Sequence, residues 1–199
     1  MHNKLGIDID GVLTEEGPKN NSIWQQKMTE FFGRNINLRK NTYNLAEAFG
    51  LNTEELNLFL KKELENIYRQ ATPAEGAKET LEELKERDFT LILITARHSK
   101  YNTLTKNWLK KYDIPYDKLY HEDNKAPLAE KLKLKLFIED NKFNALAISK
   151  KNIPVILVSK YHNKDIEKNN LIYRADSWQD IKRQLYTILS EHTATNKFS

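Results

Sequence analysis

Apolar residues along this chain fall into two alternating patterns. Segments 5–10, 90–95, 118–120, 134–138, 154–158 and 171–173 are short runs that are apolar almost throughout. A run that does not alternate with polar residues predicts a strand buried on both faces. Between them the period lengthens to that of a helix. Ala77, Leu81 and Leu84 share one stripe, as do Tyr101, Leu104, Trp108, Leu109 and Tyr112, and Trp178, Ile181, Leu185 and Ile188. Ser177 and Asp180 resemble a capping box at the start of the last helix. Strands alternating with helices imply crossover connections and a parallel sheet.

The alternation breaks once. From residue 15 to 72 no strand pattern is present. Leu56, Phe59, Leu60, Leu64, Ile67 and Tyr68 form a helical stripe there, with Asn52 and Glu55 placed to cap it. Residues 22–33 read as another helix. The block is expected to be a helical insertion after the first strand, ended by Pro73 and Gly76. The expected organisation is a core of residues 1–14 and 73–193, an insertion at 15–72, and a frayed tail at 194–199.

Composition narrows the classes. The 199 residues include no cysteine, which removes disulfides, zinc ribbons and thiol nucleophiles, and suits a reducing cytoplasm. No apolar run approaches a membrane span, and the first residues do not read as a signal peptide. The net charge of +4 is mild. It suits an anionic substrate or simply a lysine-rich surface. Residues 15–72 are net neutral, and no basic run suggests a nucleic-acid arm.

Candidate chemistry lies where predicted strands end. Asp8-Ile9-Asp10-Gly11-Val12-Leu13-Thr14 puts two carboxylates at the C-terminal end of a buried strand, the end where parallel sheets bind ligands. Alone, such a pair also serves as a turn or cap. Unpaired carboxylates there are costly unless a cation such as Mg²⁺ compensates them. Thr95-Ala96-Arg97 ends a second strand, just before a helix expected to begin near Ser99 or Lys100. Lys125 opens a helix with Ala129 and Leu132 on its inner stripe. Glu139-Asp140 leaves a further strand.

Taken together, Asp8-x-Asp10-Gly11-Val12-Leu13-Thr14, Thr95, Lys125 and Glu139-Asp140 resemble the haloacid dehalogenase superfamily of phosphohydrolases, over roughly residues 4–160. The resemblance implies a Rossmann-like α/β fold, a parallel sheet with helices on both faces, carrying a small helical cap after the first strand. It implies Asp8 as nucleophile and Asp10 as general acid and base. Thr95 and Lys125, with Arg97, would bind the phosphoryl group. Mg²⁺ would be held by Asp8, the Asp10 carbonyl and Asp140, with Glu139 acting through water. Within the superfamily, the chain is similar to the 5'(3')-deoxyribonucleotidases and their bacterial relatives. The segments carrying this are Thr95-Ala96-Arg97-His98, Thr105-x-x-Trp108-Leu109 and Ile114-Pro115-Tyr116-Asp117-Lys118-Leu119. The implied substrate is a nucleoside 5'-monophosphate. A sugar phosphate, a nucleic-acid end and a non-enzymatic use of the fold for protein interaction are the alternatives. The insertion's seven aromatic residues, from Trp24 to Tyr68, are no enrichment and read mainly as its own core.

Overall fold

The unalternating strands are explained by a sheet covered on both sides. A computed structural model describes residues 3–15, 22–167 and 169–195, with side chains as far as Ser190. In chain order the elements are β1 (Lys4–Ile7), β2 (Thr14–Glu15), α1 (Ile23–Phe32), α2 (Leu45–Phe49), α3 (Thr53–Gln70), β3 (Thr72–Pro73), α4 (Ala77–Glu86) and β4 (Thr90–Thr95). There follow α5 (Asn102–Lys111), β5 (Lys118–His121), α6 (Lys125–Leu132), β6 (Leu136–Glu139), α7 (Lys142–Ser149), β7 (Val155–Val158), β8 (Ile172–Ala175) and α8 (Trp178–Thr195). Short 3-10 turns lie at Ser99–Tyr101 and Tyr161–Asn163. Six strands form one sheet in the order β5-β4-β1-β6-β7-β8, and every pairing is parallel.

Successive residues of each strand enter different layers. Leu91 and Leu93 join Leu5, Ile7, Leu136 and Ile138 in a layer closed by Leu81, Trp108 and Ile181 of α4, α5 and α8. Ile92 and Ile94 join Phe137, Val155 and Leu157 in a second layer closed by α6 and α7. Gly6 lies where β1 meets Phe137: a Cβ there would enter the Phe137 ring and come within 2.6 Å of Leu134.

The insertion has its own apolar centre of Met28, Phe49, Phe59 and Ile67, with Phe31 and Phe32 packed against it. Its local signals read true. Ser22 caps α1, and Gly33 ends it in the left-handed region. Asn52 and Glu55 form a complete capping box on α3, with bonds of 2.8 and 3.0 Å.

Three details depart from the sequence reading. The first strand ends at Ile7 rather than Asp10, because the chain turns back on the Ile9 carbonyl. The helical block is bounded by a ribbon that the pattern does not show: β2 and β3 pair antiparallel, Thr14 opposite Pro73 and Glu15 opposite Thr72. Two-residue strands are too short to display a period. The final helix reaches Thr195, two residues into the expected tail, whose last residues, 196–199, lie outside those described.

Two indole N–H groups tie the ribbon's ends to the core. Trp178 donates to the Val12 carbonyl at 3.0 Å, and Trp108 to the Ala71 carbonyl at 2.7 Å. Among the described residues no helix is long and apolar enough to cross a membrane.

Candidate active site

The order in which strands are added to the sheet reverses beside β1, since β4 and β5 lie to one side and β6, β7 and β8 to the other. Such a reversal opens a crevice at the strands' C-terminal ends. Asp8 follows β1, Thr95 ends β4, Glu139 ends β6 and Asp140 follows it.

The loop after β1 is tightly wound. The Ile9 carbonyl accepts from Leu13 at 2.8 Å and from Thr14 at 2.9 Å. The Thr14 hydroxyl accepts from the Gly11 N–H at 3.0 Å. Gly11 has φ +73°, and any Cβ there would strike the Asp140 carboxylate. Glycine is therefore required twice, for conformation and for space. The winding sends Asp8 and Asp10 to different partners.

Asp8 meets Lys125. The fully buried ammonium lies 2.5 Å from Asp8 Oδ2 and 2.8 Å from Glu139 Oε2. Asp8 Oδ1 accepts from the Ile9 N–H at 2.7 Å, and Glu139 Oε1 from the Asn141 N–H at 3.1 Å. Asp8, Glu139 and Asp140 are all buried, and one ligand oxygen from each lies within 4.8 Å of the others. Three carboxylates thus gather here, and two of them, Asp8 and Glu139, share one ammonium. Burial, and then the neighbouring Glu139, push the Asp8 carboxyl well above the usual carboxylate range; Lys125 pulls the other way. Burial disfavours the charge on Lys125, but Asp8 and Glu139 outweigh it and hold the ammonium above its ordinary value.

Asp10 meets Arg97. The guanidinium donates through Nε to Oδ2 at 2.8 Å and through Nη2 to Oδ1 at 2.7 Å. Burial opposes the guanidinium's charge, but the Asp10 carboxylate more than compensates. Arg97 is also roofed by the Tyr68 ring of α3, 4.1 Å from its centre, and reaches Thr105 at 3.4 Å. Its carbonyl bonds His121 Nδ1 at 2.8 Å. Arg97, expected to bind phosphate, is here the partner of Asp10. Thr95 is fully buried, and its hydroxyl accepts from the Arg97 N–H at 3.2 Å.

A cavity of about 290 Å³ joins these groups to the insertion. Asp8, Asp10, Arg97 and Asp140 form part of its wall; Trp24, Tyr43, Leu60, Leu64 and Tyr68 come from the insertion. Lys125 and Glu139 lie behind Asp8 rather than in the wall. Four phenylalanines fill the insertion's interior, while Trp24, Tyr43 and Tyr68 face the cavity. Burial raises the hydroxyl pKa of both tyrosines, helped by Asp140 at Tyr43 and by Asp10 at Tyr68. Tyr161 and His162, on the loop after β7, complete the wall. Sequence reasoning passed over both, because a lone His in a loop carries no spacing signal.

A family model described as 5' nucleotidase, deoxy (pyrimidine), cytosolic type C, matches residues 2–190. The chain belongs to this 5' nucleotidase family. As a nucleotidase it is a phosphoric monoester hydrolase, and its substrate is a small phosphorylated compound. A nucleotidase of Clostridium acetobutylicum is 30% identical over 178 residues, covering 88% of this chain and 89% of that protein. Among solved structures, a haloacid dehalogenase-like hydrolase of Streptococcus pneumoniae superposes with a TM-score of 0.65 at 15% identity, covering 92% of this chain and 98% of that one. A haloacid dehalogenase superfamily hydrolase of Geobacter sulfurreducens gives 0.58 at 17% identity, covering 92% and 96%. These neighbours share the nucleotidase's α/β fold, a six-stranded parallel sheet flanked by helices.

Proposed function

We propose that this nucleotidase hydrolyses nucleoside 5'-monophosphates, deoxy forms included, through a phosphorylated Asp8. Supporting the reading is the position of Asp8: its carboxylate is steered by Lys125 at the wall of a cavity whose far side is aromatic. The fold family implies a divalent cation, and the residues fit one. Three buried carboxylates converge, only two of them paired with the Lys125 ammonium, and Gly11 leaves open the space beside Asp140 that a side chain would fill. Asp8, Asp140 and the Asp10 carbonyl would hold Mg²⁺. Both Glu139 oxygens already have protein donors, which suits contact through water. The bound ion would neutralise phosphoryl charge as the carboxylate approaches.

In the first step Asp8 attacks phosphorus and the ester P–O bond breaks. The departing oxygen takes a proton from Asp10. In the second, water attacks the acyl phosphate, Asp10 accepts its proton, and the bond from phosphorus to the Asp8 oxygen breaks to release phosphate. Lys125 balances charge on Asp8 and the phosphoryl oxygens. Thr95 fixes the loop that carries Arg97. The insertion acts as a cap, excluding water and contacting the nucleoside. A cytoplasmic setting agrees with the absence of cysteine.

The test is phosphate release from a panel of ribo- and deoxyribonucleoside 5'-monophosphates and sugar phosphates, with Mg²⁺ present. Preference for nucleotides is expected. Faster turnover of a sugar phosphate than of every nucleotide would overturn the assignment.

A further inference from the structure

Arg97 is held in its plane by the core and on its face by the insertion. Nε and Nη2 donate to the two oxygens of Asp10, and Nη1 reaches the Thr105 hydroxyl at 3.4 Å. These contacts use in-plane donors and leave the faces of the guanidinium to be covered. Tyr68 covers one, its ring centre 4.1 Å from the guanidinium carbon. An aromatic ring attracts a desolvated guanidinium through its negative face and excludes water that would compete for the donors. The Arg97 side chain accordingly has no exposed surface, while 31% of the Asp10 side chain stays open. The arginine is sealed, and the carboxylate it holds still lines the cavity.

The Arg97 backbone is fixed separately. Its N–H donates to the Thr95 hydroxyl at 3.2 Å, and its carbonyl bonds His121 Nδ1 at 2.8 Å. What remains to be fixed is a long side chain, and such a chain aims a carboxylate only if its own rotamers are restricted. Tyr68 is placed to restrict them. It sits in the last turn of α3, two residues before Gln70. Trp108 donates to the Ala71 carbonyl at 2.7 Å, which anchors that turn to the core. Tyr101, in the turn before α5, meets the Tyr68 ring edge-on at 5.4 Å. The ring is therefore held from the insertion and from the core at once.

We propose that Tyr68 is a positioning residue for Asp10. Acting through Arg97, its ring keeps the carboxylate aimed at the ester oxygen that leaves in the first step. The proposal rests on Asp10 as proton donor in the reading above. It applies to any ester whose leaving oxygen needs a proton, a nucleotide or a sugar phosphate.

The experiment measures kcat and KM for Tyr68→Leu and Tyr68→Phe on a nucleoside 5'-monophosphate and on p-nitrophenyl phosphate. Leucine fills space without a π face; phenylalanine keeps the face and drops the hydroxyl. In the Leu variant kcat on the nucleotide should fall about tenfold, the order expected of one ring over a buried guanidinium. On p-nitrophenyl phosphate, whose leaving group departs without a proton, kcat should barely change. The Phe variant should match wild type on both. The decisive measurement is Tyr68→Leu made in the Arg97→Lys background, where the two-pronged contact is already absent. There the further loss should disappear. A loss confined to KM, or one that persists undiminished in that background, would mean that the ring acts on the nucleoside itself and would overturn the proposal. A Phe variant as impaired as Leu, or an equal loss on both substrates, would overturn it too. Failure of the nucleotide reading is seen separately, as wild type that hydrolyses a sugar phosphate and no nucleotide; the same comparison on the sugar phosphate then decides the role of Tyr68. Wild type that cleaves the aryl phosphate alone would sink both.

Discussion

Arg97 grips both oxygens of the Asp10 carboxylate, at 2.8 and 2.7 Å, across 87 positions of sequence, and Tyr68 of the insertion lies over the guanidinium. Lysine keeps the charge but cannot form the two-pronged contact. Arg97→Lys should therefore lower kcat on nucleotides by about 100-fold, the lower end of what general acid–base catalysis contributes. The loss should be smaller on p-nitrophenyl phosphate, whose leaving group departs without a proton. Equal losses on both would mean that Arg97 acts on the phosphoryl group instead.

Asp8→Asn removes the nucleophile but keeps the side chain's shape and its reach toward the Ile9 N–H. Turnover should fall by about 10⁴-fold or more, while far-UV circular dichroism stays unchanged. Acid-quenched wild type should carry a phosphoryl group on Asp8, detectable by mass spectrometry. A variant with wild-type turnover would remove the covalent route.

Divalent cation should raise the melting temperature, because it binds a folded site where Asp8, Glu139 and Asp140 outnumber Lys125. At 100 times Kd the linked stabilisation is about 2.7 kcal/mol. Differential scanning fluorimetry with Mg²⁺ against EDTA measures it. Asp140→Asn should shrink the shift, and EDTA should silence hydrolysis.

Asp117 supplies a pH dependence remote from the site. Burial works against its charge, but Lys85 at 2.6 Å and the Leu91 N–H at 2.7 Å outweigh burial and lower its pKa. A carboxylate lowered in the folded state stabilises above its ordinary value near 3.8. That contribution is lost as pH falls through the lowered value. At neutral pH Asp117→Asn should cost about 1 kcal/mol, its partial exposure limiting the loss. The difference from wild type should vanish in urea melts at the acid end.

Gly6→Ala places a methyl group into the Phe137 ring. Both lie in the fully packed second layer, so relief requires a shift of β1 against β6. A loss of about 1–3 kcal/mol is expected. Gly33→Ala meets open space and bears only the strain of a left-handed residue. Urea melts of the two variants separate packing from backbone strain.

Much of the fold was legible because its signals are local. Buried strands announce themselves as unbroken apolar runs, and Asn52 with Glu55 announces α3, since each depends on residues a few positions apart. The same holds for Asp8, Asp10, Lys125 and Glu139-Asp140: residue types at strand ends and helix starts are visible in one dimension. The β2–β3 ribbon was not, because its two strands are separated by the whole insertion and are too short to carry a period.

What the sequence alone determined is the parallel sheet and the set of charged residues that follow its strands. Tertiary structure decided how those charges are shared. Arg97, expected to bind the phosphoryl group, also grips Asp10. Trp24, Tyr43 and Tyr68 turn to the cavity while the insertion's phenylalanines turn inward, and His162 arrives from the far side with one nitrogen unpaired. Periodicity reports which face of an element is apolar. Which distant charge reaches which partner depends on the packing of separate elements, and that is fixed only once the chain has closed on itself.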